Sequence, residues 1–413
     1  MDQVVERVAG LDVHRDSVMA CVRVCGSDAG LREEVRQFET TTPALAKLAD
    51  WLVAEGVELV VMEATGVYWK APYYMLEGVV PKVWVCNAQH VKNVPGRKTD
   101  VKDAQWLAQL AQHGLLRPSF IPEPVFRELR ELCRYRKTQI DERAREIQRL
   151  EKVLQDAQVK LTSVASKVLT KSGRAMVEAL IAGERDPKVL AELAKGRMRG
   201  KIVPLQAALT VRFQAHHAVL CRQILDHIDH IDRAVAALEA EIDGRLVPFE
   251  WAVELLCGIT GVQVRTAQAV LAEIGVDMSR FPTAGHLASW AALCPGNHES
   301  AGKSRSGKTR RGNIWLRRAL IEAALAASRS KGTYLKSRYW RIAKRRGPAK
   351  ANIAIAHNIL TIAWHLLSTR EPYNDLGADY YLERQTPDDR QRRLTRALEG
   401  LGYDVTLTPR EAA

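Results

Sequence analysis

No run of about 18 apolar residues occurs in the 413-residue chain, so no membrane-spanning helix is expected. The opening MDQVVERVAGLDV has no basic stretch leading into an apolar one. It does not read as a signal peptide, and a cytoplasmic protein is the default expectation. Cysteine is sparse and scattered: Cys21, Cys25, Cys86, Cys133, Cys221, Cys257 and Cys294 include no CxxC pair. They read as free, buried thiols rather than zinc ligands. His216 with His217, and His227 with His230, lack a second ligand cluster and read as polar helix faces. The glycine-rich phosphate loops of a sugar-kinase-like ATPase are not found, and the one GxxxxGKT string, Gly302 to Thr309, falls inside a basic stretch rather than between a strand and a helix of the N-terminal pattern. Acidic residues are missing from one long stretch. Lys303 to Arg346 holds fifteen Lys or Arg and one acid, Glu322.

That stretch nets +14 while the whole chain nets +13, so all other residues together net −1. A solvated charged surface normally mixes signs. A single-sign block of this length points to a polyanion, and nucleic acid is the commonest one. Trp315, Tyr334, Tyr339 and Trp340 are interleaved with the cations, and such rings can stack bases. Trp315 and Leu316 read instead as core positions.

The apolar pattern gives an α/β plus α architecture. Residues 5–115 read βββαβαβα. Three strands alternate with period two, and helices follow at PALAKLADWLVAEG, YWKAPYYMLEG and TDVKDAQWLAQLAQHG. The first helix has Pro43 at its start and Gly56 past its end. A mixed sheet entered through antiparallel strands matches the ribonuclease-H-like arrangement better than a doubly wound sheet. Pro118, Pro122 and Pro124 mark a boundary. Two long charged helices, about 125–168 and 205–246, are expected to pair as a coiled coil, within one chain or between chains. An inserted unit or loop lies between them at about 170–204. WAVELLCGITGVQVRTAQAVLAEIG resembles a helix-hairpin-helix, although Gln263 stands where a second glycine is common; a tight αα-corner is the alternative. Four regions follow: 1–117, 118–250, 251–370, and a polar tail at 371–413.

Four carboxylates occupy places where chemistry could use them. Asp12 lies toward the end of the first strand. Glu63 ends the fourth. Asp100 and Asp103 share one face of a helix's first turns, since i and i+3 are neighbours. Each alone is ordinary: Asp100 after Thr99 is a first-turn acid favoured by the helix dipole. Together they would repel unless cations neutralise them. Oxygen ligands suit Mg²⁺, and two such ions could clamp the attacking and leaving oxygens of a phosphodiester. Arg97 and Lys98 are placed to meet a DNA backbone.

GLDVHRDS, VVMEATGVYW and KTDVKDAQWLAQL resemble the DEDD-type insertion-sequence transposases, the bridge-RNA-guided serine recombinases. GITGVQVRTAQAVLAEIG, RFPTAGHLASWAALCPGNHESAG and GNIWLRRALIEAA resemble the same family's second domain, in order and spacing. The resemblance implies a RuvC-like N-terminal domain that holds metal at Asp12, Glu63, Asp100 and Asp103. It implies a nucleophilic serine, matched by Ser300. On the residues alone, Ser304 and Ser306 are equal candidates. The family often has Ser-Gly there, whereas this chain has Ser300-Ala301-Gly302. The resemblance further implies a phosphoserine intermediate, a structured bridge RNA, and double-stranded donor and target DNA. It also implies dimers assembling to tetramers and a nucleoid-associated protein of bacteria. Lys303, Arg305, Lys308, Arg310, Arg311, Arg317 and Arg318 are the expected nucleic-acid-binding cations. The competing expectation is a Holliday-junction-type endonuclease that hydrolyses DNA with water.

Overall fold

Period-two alternation over residues 7–39 produces three antiparallel strands, and two short apolar runs produce two more. In the computed structural model these are β1 (Arg7–Val13), β2 (Ser17–Gly26), β3 (Gly30–Glu39), β4 (Leu59–Glu63) and β5 (Lys82–Cys86). Helices α1 (Thr42–Ala54), α2 (Lys70–Leu76) and α3 (Asp100–Gln112) complete the order βββαβαβα. The structure describes residues 4–26, 30–64, 66–87, 100–294, 298–300, 303–306, 309–310, 312–384 and 386–408. Arg97, Lys98, Lys308 and Arg311 lie outside the described residues. Only the backbone is described for Asp100, Ser300, Lys303 and Arg305. The chain divides into two compact units, Met1–Ile121 and Pro122–Ala413.

In the first unit the strand order is β3-β2-β1-β4-β5. β1, β2 and β3 run antiparallel; β1, β4 and β5 run parallel. This is the ribonuclease-H-like order, with strand one beside strand four. The two faces bury different residues, because successive side chains point opposite ways. Ala9, Leu11, Val60 and Met62 pack with Leu45, Leu48 and Leu52 of α1 and Leu76 of α2. Val8, Leu59 and Val61 pack with Ala104, Leu107, Ala108 and Leu110 of α3. Each leucine so buried contributes about 1.5–3 kcal/mol. α1 has Pro43 in its first turn, and Gly56 follows its end at φ +64°. At one edge, β3 carries charges of both signs, with Arg32 and Arg36 exposed and Glu33 and Glu34 half-buried. At the other, Ser119 N–H donates to the Val85 carbonyl at 2.7 Å, so residues 118–119 run against β5.

The second unit is helical. α4 (Pro124–Asp156) and α9 (Ala215–Leu246) lie along one another within the chain. Arg143–Asp232, Arg136–Glu239 and His227–Glu146 pairs bridge them. Both helices are shorter than their apolar spacing suggests. α4 stops at Asp156, and Gln158 turns left-handed at φ 62°. Leu161 and Val168 keep the helical spacing but belong to a separate fold. Likewise Leu205 precedes the start of α9. The expected insert is an ordered helical unit of α5 (Leu161–Val164), α6 (Lys171–Ile181), α7 (Pro187–Glu192) and α8 (Ile202–Ala208). Its own core is built by Leu154, Met176, Leu180, Leu190, Leu205 and Phe213.

Then come α10 (Glu250–Cys257), α11 (Val264–Ile274), α12 (Ala284–Trp290), β6 (His298–Ser300) and β7 (Lys303–Ser306). The chain ends in α13 (Ile314–Ala327), α14 (Tyr334–Arg346), α15 (Pro348–Thr369), α16 (Tyr380–Glu383) and α17 (Pro387–Glu399). The ITGV turn between α10 and α11 is a packed αα-corner. Gly261 stands at φ +89°, and a Cβ there would lie 2.4 Å from the Ala323 carbonyl of α13. Only glycine meets both demands. The first part of the expected polar tail is tied down. Asp375 accepts from Tyr334 N–H at 2.9 Å, Gly377 N–H at 2.8 Å and Thr260 Oγ1 at 3.0 Å.

Candidate active site

In the first unit, register places two of the four acids side by side. Gly10 pairs with Val61 and Leu11 with Met62 in the parallel β1–β4 ladder, so Asp12 and Glu63 are the next positions along. Period two then sets the face. Val8 and Val61 point toward α3, so Asp12 and Glu63, an even number of residues on, point the same way. Both are partly buried.

Glycine at position 10 brings the helix in. A Cβ at Gly10 would stand 2.2 Å from the Ala104 carbonyl and 2.5 Å from the Ala108 amide nitrogen. At the opposite end of α3, the Gln112 carbonyl accepts from Val4 N–H at 2.9 Å. The helix therefore runs antiparallel to β1. Its first turn, with Asp100 and Asp103, lies toward the Asp12 end of the sheet. Asp103 is half-buried; of Asp100 only the backbone position is known. His14 places Nε2 3.1 Å from Asp12 Oδ2. Cys86, opposite Glu63 on β5, is a buried thiol whose pKa is pushed up to about 12, chiefly by burial and further by the Glu63 carboxylate. It stays protonated and offers no thiolate to a metal. The donor set is carboxylate oxygen with one adjacent imidazole, the chemistry that hard divalent cations accept.

In the second unit, Ser300 ends β6 and pairs with Lys303 across a two-stranded hairpin. The frame on either side of that hairpin is firmly built. Arg310 donates to the Ser289 carbonyl at 3.2 Å and to Ser289 Oγ at 2.9 Å. A Cβ at Gly312 would meet the Ala291 carbonyl at 2.6 Å. Asn313 caps α13, accepting from Trp315 and Leu316 N–H at 3.1 Å each. Of the other expected cations, Arg318 leans on the Trp315 ring and pairs with Asp141 at 3.5 Å. Arg317 is half-buried. Trp315 is half-buried, Leu316 and Tyr339 are buried, and Trp340 is exposed.

Sequence reasoning missed Glu273. It is 2% exposed. Arg134 donates to it through both Nε (2.7 Å) and Nη2 (2.9 Å), Arg130 Nε sits 3.0 Å away, and Asn313 Nδ2 donates at 2.6 Å. Glu273 thus holds the residue that caps α13. The signal available in the sequence was an acid inside the apolar pattern AVLAEIG, with Arg130 and Arg134 spaced i, i+4.

Asp156, His216 and His217 also gather, with ligand atoms within 4.8 Å of one another. His217 is engaged at both nitrogens. Nδ1 accepts from Gln214 N–H at 3.0 Å, which leaves Nε2–H to donate to Asp156 at 2.9 Å. Its hydrogen bond, above all, holds the Asp156 carboxyl below the usual range. This is the N-terminal cap of α9, formed by side chains that read as a polar helix face.

Known proteins resemble this chain in two stretches. Residues 9–158 match the DEDD transposase model of IS110 elements, and residues 253–340 match the transposase model of the IS116/IS110/IS902 family. The two matches together span more than half of the chain, and both describe DNA transposases. Over these two stretches the chain is similar to transposases of the IS110/IS116 family. It is 26% identical over 380 residues to the transposase for insertion sequence element IS1111A of Coxiella burnetii, covering 89% of this chain and 91% of that one. It is 42% identical over 92 residues to an uncharacterized 43.6 kDa protein of insertion element IS110 from Streptomyces coelicolor, 22% of each chain. The Thermus thermophilus RuvC structure aligns with 27% of this chain and 99% of its own, at 14% identity and a TM-score of 0.22. Among the described residues, no helix is long and apolar enough to cross a membrane.

Proposed function

We propose that this chain cuts and rejoins DNA through a serine–phosphate intermediate, with Asp12, Glu63, Asp100 and Asp103 as its divalent-metal centre. The observation that carries the reading is the meeting of Asp12 and Glu63 on one sheet face, at the end where α3 begins. Mg²⁺ held by these carboxylates would neutralise their charge and polarise phosphate oxygens. The chain's own chemistry is the transfer. Ser300 Oγ attacks phosphorus, a Ser–O–P bond forms, and the bond to a sugar oxygen breaks. The released sugar oxygen takes up the proton. A sugar hydroxyl of the second strand then attacks the phosphoserine and returns the serine. Each bond broken is matched by one formed, so neither water nor a nucleoside triphosphate is consumed. Lys303 and Arg305 beside Ser300 would stabilise the charge of the five-coordinate phosphate. The acids can come from the same copy of the chain or from another in a dimer or tetramer. A structured RNA that pairs with donor and target DNA fits the single-sign segment at 303–346.

The test is adduct trapping. The full chain is incubated with Mg²⁺ and a nicked duplex carrying its element's own end, then run on a denaturing gel. A protein–DNA adduct forms with the unchanged chain and is lost in Ser300→Ala. Asp12→Asn and Glu63→Gln abolish cleavage. Cleavage that survives Ser300→Ala without an adduct overturns the serine mechanism and establishes hydrolysis by water. Retention of a discrete, nuclease-sensitive RNA on the purified chain tests the RNA.

A further inference from the structure

We propose that the cleft between α14 and the segment 380–384 binds an unpaired polynucleotide strand, through stacked tyrosines and arginines. The proposal rests on the DNA-handling reading above for its ligand class alone. The cleft measures about 410 Å³ and is lined by Tyr334, Arg338, Arg341, Tyr380, Tyr381 and Arg384, together with one carboxylate, Asp389. That volume falls within the roughly 300–1,000 Å³ of small-ligand sites.

The cleft is built in layers. The rings of Tyr334 and Tyr381 stack at 5.7 Å and 23°. The Arg341 guanidinium covers Tyr381 at 4.6 Å, and Arg384 covers Tyr380 at 5.0 Å. Arg338 Nη1 donates to both stacked phenols, at 2.8 Å to Tyr334 and 3.0 Å to Tyr381. Its Nε is buried with no hydrogen-bond partner. Arg384 Nη1 donates to the Tyr380 phenol at 2.5 Å, and the groups that hold Arg338 are phenols rather than carboxylates. The lining carboxylate, Asp389, accepts from Thr386 Oγ1 at 2.9 Å.

Three guanidiniums gathered this way repel one another, and phenol oxygens and ring faces only partly offset the repulsion. A bound polyanion removes it. The guanidinium fork meets phosphate oxygens in pairs, and the same planar group stacks on a flat ring. Arg341 and Arg384 are exposed, so each can present a plane to a base. A duplex hides its base faces; an unpaired strand offers base faces and phosphates together. The tail completes the site: Asp375 ties residues 371–384 to Thr260 and to the first turn of α14, and the Tyr381 phenol bonds Tyr334 and Arg338 directly.

The test measures fluorescence anisotropy of labelled dT20, rU20 and a 20-base-pair duplex on the full chain. Arg341→Ala/Arg384→Ala is expected to weaken at least one of the single strands about tenfold or more, with duplex affinity held within about twofold. The strand that loses affinity tells whether the occupant is DNA or RNA. The slope of log K against log salt should fall by about 1.4, two contacts at roughly 0.7 each. Arg341→Lys/Arg384→Lys keeps that slope but loses single-strand affinity, because lysine has no plane to stack. A smaller loss, an equal loss for duplex and single strand, or full affinity in the lysine variant overturns the proposal. The two readings fail separately. With the cleft correct and the serine mechanism wrong, single strands bind through the cleft and no adduct forms. In the reverse case the adduct forms and the alanine variant binds single strands like the unchanged chain.

Discussion

At Gly10 a hydrogen atom stands where any other residue would put a carbon 2.2 Å from a helix carbonyl. The close approach of α3 to β1 depends on that atom. Gly10→Ala should destabilise the first unit by about 3 kcal/mol, the upper part of the range for overpacking, because a backbone rather than a side chain must yield. It should also weaken metal-dependent cleavage; thermal melting and the cleavage assay read the two effects. Glu273 is the matching residue of the second unit. Glu273→Ala leaves Arg130 and Arg134 without their carboxylate and releases Asn313. The expected loss is about 3 kcal/mol in denaturant unfolding, at the low end for a broken buried pair because Arg134 is a third exposed. The neighbouring positions of Asp12 and Glu63 were readable because strand period and strand order agreed. Glu273 was not, since its partners lie some 140 positions earlier and 40 later, and spacing says nothing of such distances.

Among the elements, the tail segment at 371–384 behaves least like its composition. Burial raises the Asp375 carboxyl, but hydrogen bonds from the Tyr334 and Gly377 amides, Thr260 and Tyr373 outweigh it, and its pKa lies below the ordinary value. A depressed carboxyl pKa gives stability that is present above the unfolded value of about 3.9 and lost as pH falls through the folded one. The segment should therefore hold at neutral pH and release below about pH 4. Hydrogen exchange at the first turn of α14 follows that release, and Asp375→Ala should show it already at pH 7, with faster tryptic cleavage at Arg370 and Arg384. Polarity alone made this stretch read as a loose extension. One half-buried aspartate with four donors reverses that. The long helices show the opposite failure. Apolar spacing continues past Asp156 through Leu161 and Val168, and the left-handed Gln158 that ends the helix has no strong signature in its residue type.

On the scale of the molecule, the two units carry separate cores, two clusters on the faces of the sheet in the first and a cluster among helices in the second. Calorimetry should resolve two transitions, with Gly10→Ala lowering one and Glu273→Ala the other. A single transition shifted by both would contradict independent folding. The charge is divided as sharply as the fold. The basic block at 303–346 belongs to the second unit, so nucleic-acid affinity should fall steeply with salt through that unit.

The sheet margins carry a further consequence. β3 lines its free side with charges of both signs, and residues 118–119 run along the outer side of β5. A bare strand edge is an invitation to pair with the next molecule. When several copies crowd onto one length of DNA, neither margin offers a clean ladder for sheets to fuse. Association of this chain through its sheet is thereby disfavoured at both margins.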